Sequence, residues 1–449
     1  MKRLYIICLI AQSLLMSAIC AKGQIIHTVA GSNDTGYTGN GGPATAATLD
    51  MPFGVAINSS GNLFIADTYN GVIRKVNGAG IITTVAGGGL NSPADGGPAT
   101  DAQLFYPIDV AADNAGNIYI AAPSNIFKVS ASGIISTVAG NGIWGYSGDG
   151  AAATAAMLSD PEGVTVDAAG NIYIADAPNN VIREVNSAGI ISTVAGNGTA
   201  GFGGDGGSAT HAMLDTPAKV AVDAAGNIYI SDSRNMRLRK VNTAGVISTI
   251  AGGGILGDGG PATAAQLAET WGITIDGSGN LFFTDGFRIR KINSAGIITT
   301  VAGSLAEGFS GDGGPATVAE LFGPAGIAED ATGNIFIADM GNHRIRKVAS
   351  AATGINQAVN PHDKLAVFPN PNNGVFVVGG SLDIPVDQDV SVQIFNMRGQ
   401  PVYQSTPLIS SGIIDRQITL DEGLPRGIYL LQISSSNGET HTLRLLIKK

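Results

Sequence analysis

The string GNLFIADTYNGVIRKV opens at Gly61 and keeps returning. It recurs as GNIYIAAPSNIFKV at Gly116, GNIYIADAPNNVIREV at Gly170, GNIYISDSRNMRLRKV at Gly226, GNLFFTDGFRIRKI at Gly279 and GNIFIADMGNHRIRKV at Gly333. The copies are about 54 residues apart on average, a period that points to a propeller or a solenoid. Each copy is accompanied by a TVAG or TIAG run, at Thr28, Thr84, Thr137, Thr193, Thr249 and Thr300, and by a Gly-rich stretch ending in Ala-Thr. Gly at 64 residues and charged residues at only 13% suit short strands joined by tight turns, and exclude a coiled coil or a charge-rich disordered chain.

Each unit reads as four short strands: a relative of GVAINSS, then IYIAD, IRKV and GIISTVAG. Asp167-Ala168-Ala169-Gly170-Asn171 supplies an Asx turn and a glycine for positive φ between the first two. Apolar residues occupy both parities of the strands, so both faces are buried. A radial array, with each small sheet sandwiched between two neighbours, meets that demand. The phase of the repeat implies closure. The fourth-strand copy at Ile25–Gly31 precedes any first strand, and Ile345–Val348 has no fourth strand after it. The N-terminal strand is therefore expected to complete the last blade and remove two free edges. The expected fold is all-β: a six-bladed β-propeller followed by a small β-sandwich.

The GN-hydrophobic-ADxxN-x-R-I-R-K-V strings, clearest at Asn342-His343-Arg344-Ile345-Arg346, resemble the NHL repeat family over residues 25–349. The resemblance implies the propeller. It does not imply one activity, because the family includes binding modules, scaffolds and a few lyases and hydrolases.

One Asp and one Arg travel together through the repeats: Asp67 with Arg74, Asp176 with Arg183, Asp232 with Arg239, Asp285 with Arg290, and Asp339 with Arg346. The second copy has Ala122 and Phe127 instead. Removing one partner of a buried ion pair costs about 3–5 kcal/mol, whereas apolar replacement of both can be neutral. Joint loss therefore points to structural ion pairs within each blade, with a ring of cation-binding carboxylates as the alternative. A second recurrent acid occupies the Gly-rich stretch: Asp95, Asp149, Asp205, Asp258 and Asp312, with Asn40 in the first copy. One carboxylate per loop falls short of a calcium site. The acid is read as part of a structural loop leading into a short, capped helix, with calcium as the alternative and no cofactor otherwise expected.

Both ends carry addresses. Lys2-Arg3, the apolar run Leu4–Met16 and Ala21-Lys22-Gly23 have the three regions of a secretory signal peptide, expected over 1–23. A lipoprotein signal at Cys20 is the alternative. Both cysteines, Cys8 and Cys20, lie in that segment, so its removal leaves no thiol chemistry. Losing Lys2, Arg3 and Lys22 takes the formal charge from −10 to −13, which disfavours nucleic acid or an anionic membrane surface as partner. No later stretch is long and apolar enough for a membrane-spanning helix. After the propeller at 24–349, ASAATGINQAVNPHD marks a linker (350–363). The tail, 364–449, contains VFPNPNNGVF, QIFNMRGQPVY, LPRGIYLLQI and a terminal LLIKK. These resemble the type A C-terminal sorting domain of type IX secretion cargo. The resemblance implies contact with that machinery and release, or surface attachment, outside a Gram-negative bacterium of the Bacteroidota type.

Catalytic signals are sparse. His27, His211, His343, His362 and His441 show no zinc spacing, and no GxSxG elbow or P-loop occurs. Positions that vary while the scaffold repeats are the candidate ligand face: Phe53, Tyr69, Glu162, Arg234 and Trp271. Tyr37, Trp144, Tyr146, Phe202 and Phe309, in the long insertions, are expected to pack those insertions onto the blades. The reading is a secreted or cell-surface module that binds an extracellular protein or glycan. The alternative is a propeller hydrolase or lyase acting on a lactone, peptide or glycan, marked by polar groups with shifted pKa values at the axial mouth.

Overall fold

In the computed structural model of the chain, the repeats fold into six four-stranded antiparallel sheets. The structure describes residues 24–32, 34–90 and 95–349 and, beyond them, 365–368, 375–381, 388–406, 408–409, 413–421, 423–435 and 440–447. The leader expected at 1–23 and the linker expected at 350–363 lie outside the described residues. Blade one is typical: an inner strand Pro52–Ile57, then Leu63–Asp67, Val72–Val76 and an outer strand Ile82–Gly87. Inner strands of successive blades lie side by side, and the sixth lies beside the first, so the ring is closed.

The clasp is the N-terminal strand. Ile26–Ala30 pairs antiparallel with Arg344–Val348 as the outer strand of blade six, with Ile26 opposite Val348 and Thr28 opposite Arg346. Ile26 and Ala30 are fully buried. Burial on both faces follows from the radial arrangement. One core lies between each pair of neighbouring blades; between six and one it gathers Ala30, Leu49, Ile65, Ala338 and Ile345.

Two local rules repeat. Asp167 Oδ1 accepts hydrogen bonds from the N–H groups of Ala169 and Asn171, and Gly170 takes φ +84°, which closes the turn between the first two strands. The glycine of each TVAG run serves close approach: at Gly196, φ is +89° and a Cβ would lie 2.2 Å from the Asn180 carbonyl oxygen.

The tail forms a separate compact unit. One sheet combines Leu365–Phe368, Val375–Ser381 and Ile413–Thr419. The other is built on Gln388–Asn396, Pro401–Ser405, Gly427–Ser435 and Thr440–Ile447. Phe376, Val378 and Ile418 of the first share a core with Val392, Ile394, Leu431 and Leu445 of the second, as in a small sandwich.

Candidate functional site

The five Asp–Arg pairs sit where the second strand of a blade ends and the third returns. Each arginine is essentially solvent-free and lies near its own blade's carboxylate: 3.4 Å for Asp67–Arg74, 3.6 Å for Asp176–Arg183, 3.2 Å for Asp232–Arg239, 3.0 Å for Asp285–Arg290 and 3.2 Å for Asp339–Arg346. These carboxylates do more than balance charge. Each also accepts the N–H of a residue in the loop entering the inner strand: Asp50, Ser159, Asp215, Ala268 or Phe322, at 2.6–2.9 Å. Burial raises the carboxyl groups of Asp67 and Asp176 to about 6, against the pull of those hydrogen bonds and of the arginines. Asn70, Asn179, Asn235 and Asn342, three residues on, donate to the same carboxylates and to insertion-loop carbonyls. The ADxxN spacing is the sequence signal for that role.

The loop acids differ from the capping role expected of them. The short 3₁₀ turns after the Gly-rich stretches have no side-chain cap. Instead Asp149, Asp205, Asp258 and Asp312 reach the same buried arginines, at 2.6, 2.7, 2.5 and 2.8 Å. A guanidinium fork can bond two carboxylates at once, and a third layer covers it. Tyr37, Tyr146, Phe202 and Phe309 lie 4.8–4.9 Å from the guanidinium carbons of Arg74, Arg183, Arg239 and Arg346. Trp144 stays exposed. Among the described residues, no three His, Cys, Asp or Glu side chains are grouped to hold a metal ion.

The candidate ligand face divides in two. At the start of the inner strands, Phe53 of blade one meets Trp271 of blade five edge to face, ring centroids 5.3 Å apart and planes at 77°. Blade six, between them, has only Ala325 at the matching position, which leaves room for the contact. Trp271 lacks the proline that precedes the matching residue elsewhere, and Thr284 Oγ1 holds it by accepting the N–H groups of Trp271 and Gly272. Glu162 of blade three has a buried Oε2 with no hydrogen-bond partner. Burial pushes this carboxyl up to about 7; Asp160 and Glu269 add to the rise and Arg234 opposes it. Tyr69 lies apart from these and packs edge to face on Tyr106, centroids 5.8 Å apart.

Two residues at this level escaped the sequence reading. The position after the matching residue is Gly54, Gly163, Gly272 or Gly326 in four blades, but Asp109 in blade two and Lys219 in blade four. Asp109 accepts the Val164 N–H at 2.7 Å and forms an ion pair with Lys219, linking blades two and four across blade three. A Cβ on Gly163 would lie 2.9 Å from the Lys219 Cα, so glycine there lets the pair pass. The signal was available as two breaks in a glycine column. The axial mouth is therefore mixed, with aromatic rings, a carboxyl with one oxygen that lacks a hydrogen bond, and a buried ion pair. His343 has an architectural role: its Nδ1 accepts the Met51 N–H between blades six and one, as Asn180 Oδ1 accepts Thr216 N–H between blades three and four.

Residues 23–93, 144–201, 198–256 and 253–308, together more than half of the chain, match the Teneurin NHL domain, and residues 366–448 match the secretion system C-terminal sorting domain. Teneurin-1 of Mus musculus is 30% identical over 239 residues, 47% of this chain and 9% of that protein. Teneurin-4 of Homo sapiens is 26% identical over 417 residues, 82% and 14% respectively. The chain thus spans a small part of the length of these relatives. Among solved structures, a structural genomics protein of unknown function from Bacteroides thetaiotaomicron has a TM-score of 0.54 at 20% identity, over 73% of this chain and 76% of that one. It shares the fold. No helix among the described residues is long and apolar enough to cross a membrane, and the sorting domain marks a protein delivered to the cell surface or the medium of a Bacteroidota-type bacterium. The chain belongs to the NHL-repeat family, as a six-bladed propeller exported under a type IX secretion sorting domain.

Proposed function

We propose that the propeller is an extracellular binding module for a protein or glycan partner, and that it binds through the face where Phe53, Trp271, Glu162 and Arg234 lie. The observation that carries this reading is the Phe53–Trp271 pair at the start of the inner strands, together with a Glu162 carboxyl oxygen at the matching position of blade three that has no hydrogen-bond partner within the protein. The six-fold scaffold needs neither ring there, since Ala218 and Ala325 fill matching positions. A buried oxygen without a hydrogen bond is a cost that a ligand's donor removes. Aromatic anchors beside a few convergent polar groups are the usual chemistry of recognition sites.

The test is a glycan array and a panel of secreted proteins probed with the full chain and with Phe53→Ala/Trp271→Ala. The expected result is a saturable partner whose capture falls at least tenfold in the variant; equal capture by both would remove this face from the reading. Glu162 also supports a second reading, hydrolysis or elimination with Glu162 as general acid, because a carboxyl titrating near 7 suits proton transfer. Turnover of lactone or glycan substrates that is lost in Glu162→Gln would favour it.

A further inference from the structure

Blade two is the broken copy. Without the aspartate of the other blades, Ala122 cannot hold the loop that enters the inner strand, so Phe105 lacks the carboxylate that anchors Asp50, Ser159, Asp215, Ala268 and Phe322. The turn between the second and third strands is also shorter, with Pro123-Ser124 in place of the 3₁₀ turn seen in blades one, three, four and six. In this blade Phe105 and Tyr106 are 58% and 57% exposed, and Tyr69 of blade one is 61% exposed. Tyr106 holds φ +42° immediately before Pro107, the left-handed conformation that Met51, Asp160 and Thr216 adopt at the matching positions of blades one, three and four. Three large exposed rings side by side form a patch that a solvated scaffold has no need of.

Those rings wall a cleft of about 360 Å³, near the lower end of the range for small-ligand sites. Two features of its lining define the ligand. No charged side chain lines it, although the chain carries −10 overall, so neither an anion nor a cation gains a partner there. The rest of the wall is Leu104, glycine backbone and the polar side chains of Gln103, Asn70 and Thr68. Asn70 Nδ2 already donates to Asp67 and to the Gly36 carbonyl, and Thr68 Oγ1 to the Pro107 carbonyl, which leaves the Gln103 amide to donate to a ligand. Tyr69 and Tyr106 stand at 86° to each other, which offers one ring face and one ring edge. A neutral sugar ring matches that lining: its C–H face packs on an aromatic ring, and its hydroxyls bond the Gln103 amide and the tyrosine hydroxyls.

We infer that the cleft between blades one and two is a binding site for a neutral saccharide, formed by Tyr69, Phe105 and Tyr106 and separate from the Phe53–Trp271 pair. The inference rests on the reading of the propeller as a binding module and gives that reading a second site with a ligand class.

The experiment is affinity electrophoresis of the full chain in gels containing mixed-linkage β-glucan, xylan, mannan or polygalacturonate. At least one of the three neutral polymers should retard the protein, and polygalacturonate should not. Tyr69→Ala and Tyr106→Asn should each weaken retardation at least tenfold with an unchanged unfolding midpoint; Asn is chosen because it tolerates positive φ. Phe53→Ala/Trp271→Ala should still be retarded. Three outcomes overturn the inference: no retardation by any neutral polymer, retardation equal in Tyr69→Ala and wild type, or retardation by polygalacturonate alone. If neutral polymers fail while the arrays yield a Trp271-dependent partner, this cleft is refuted and the binding reading stands.

Discussion

Converting blade three to the apolar solution of blade two isolates the energetics of the ion pairs. Arg183 is fully buried, 3.6 Å from Asp176 and 2.6 Å from Asp149; it also donates to the Ser147 carbonyl at 3.0 Å and lies under the Tyr146 ring. Arg183→Phe leaves Asp176 buried with only the Ser159 N–H and the Asn179 amide, and should cost about 3–5 kcal/mol. Asp176→Ala leaves Arg183 its partly exposed partner Asp149 but strands the Ser159 N–H, for about 2–4 kcal/mol. The double variant should cost about 1–3 kcal/mol, since no buried charge is stranded: the Ser159 and Asn179 donors and the Ser147 carbonyl lose a partner, and Asp149 is partly exposed to water. The coupling energy is then at least about 2 kcal/mol. Urea unfolding followed by tryptophan fluorescence measures it, because both tryptophans, Trp144 and Trp271, lie in the propeller. Costs that add to within about 0.5 kcal/mol would refute the pairwise reading and leave joint loss in blade two without an energetic cause.

Two further outcomes test closure and the mouth. Deleting Ile26–Ala30 strips the outer strand from blade six and uncovers Val348 and Ile345; loss of roughly 5 kcal/mol or more is expected from the buried isoleucine and the strand hydrogen bonds, read as a collapsed urea midpoint. A midpoint equal to that of the intact chain would mean the clasp is dispensable. Burial of Glu162 raises its folded pKa to about 7 from 4.5, so its contribution to stability is complete below pH 4.5 and is lost as pH rises through 7. Relative to Glu162→Gln, the wild type should lose about 1–2 kcal/mol between pH 5 and 8, discounted because the side chain is partly exposed beside Asp160, Arg234 and Glu269. Parallel pH profiles would contradict that burial.

The blade count, the four strands per blade, the closing role of Ile26–Ala30 and the sandwich of the tail were legible in the sequence. Each depends on local alternation and on a repeated phase, and both survive in one dimension. The Asp–Arg partnership was legible for the same reason, since joint loss of Asp and Arg in blade two is a one-dimensional pattern. What only the folded chain decided was which elements from distant blades meet. Phe53 and Trp271 are 218 positions apart and touch because Ala325 leaves space between them. Asp109 reaches Lys219 because Gly163 opens the path, and the loop acids turn to Arg183, Arg239, Arg290 and Arg346 instead of capping a helix. A repeat states what every blade shares. The candidate site lies where blades differ, and the consequence of a difference depends on the neighbour that circular closure places beside it.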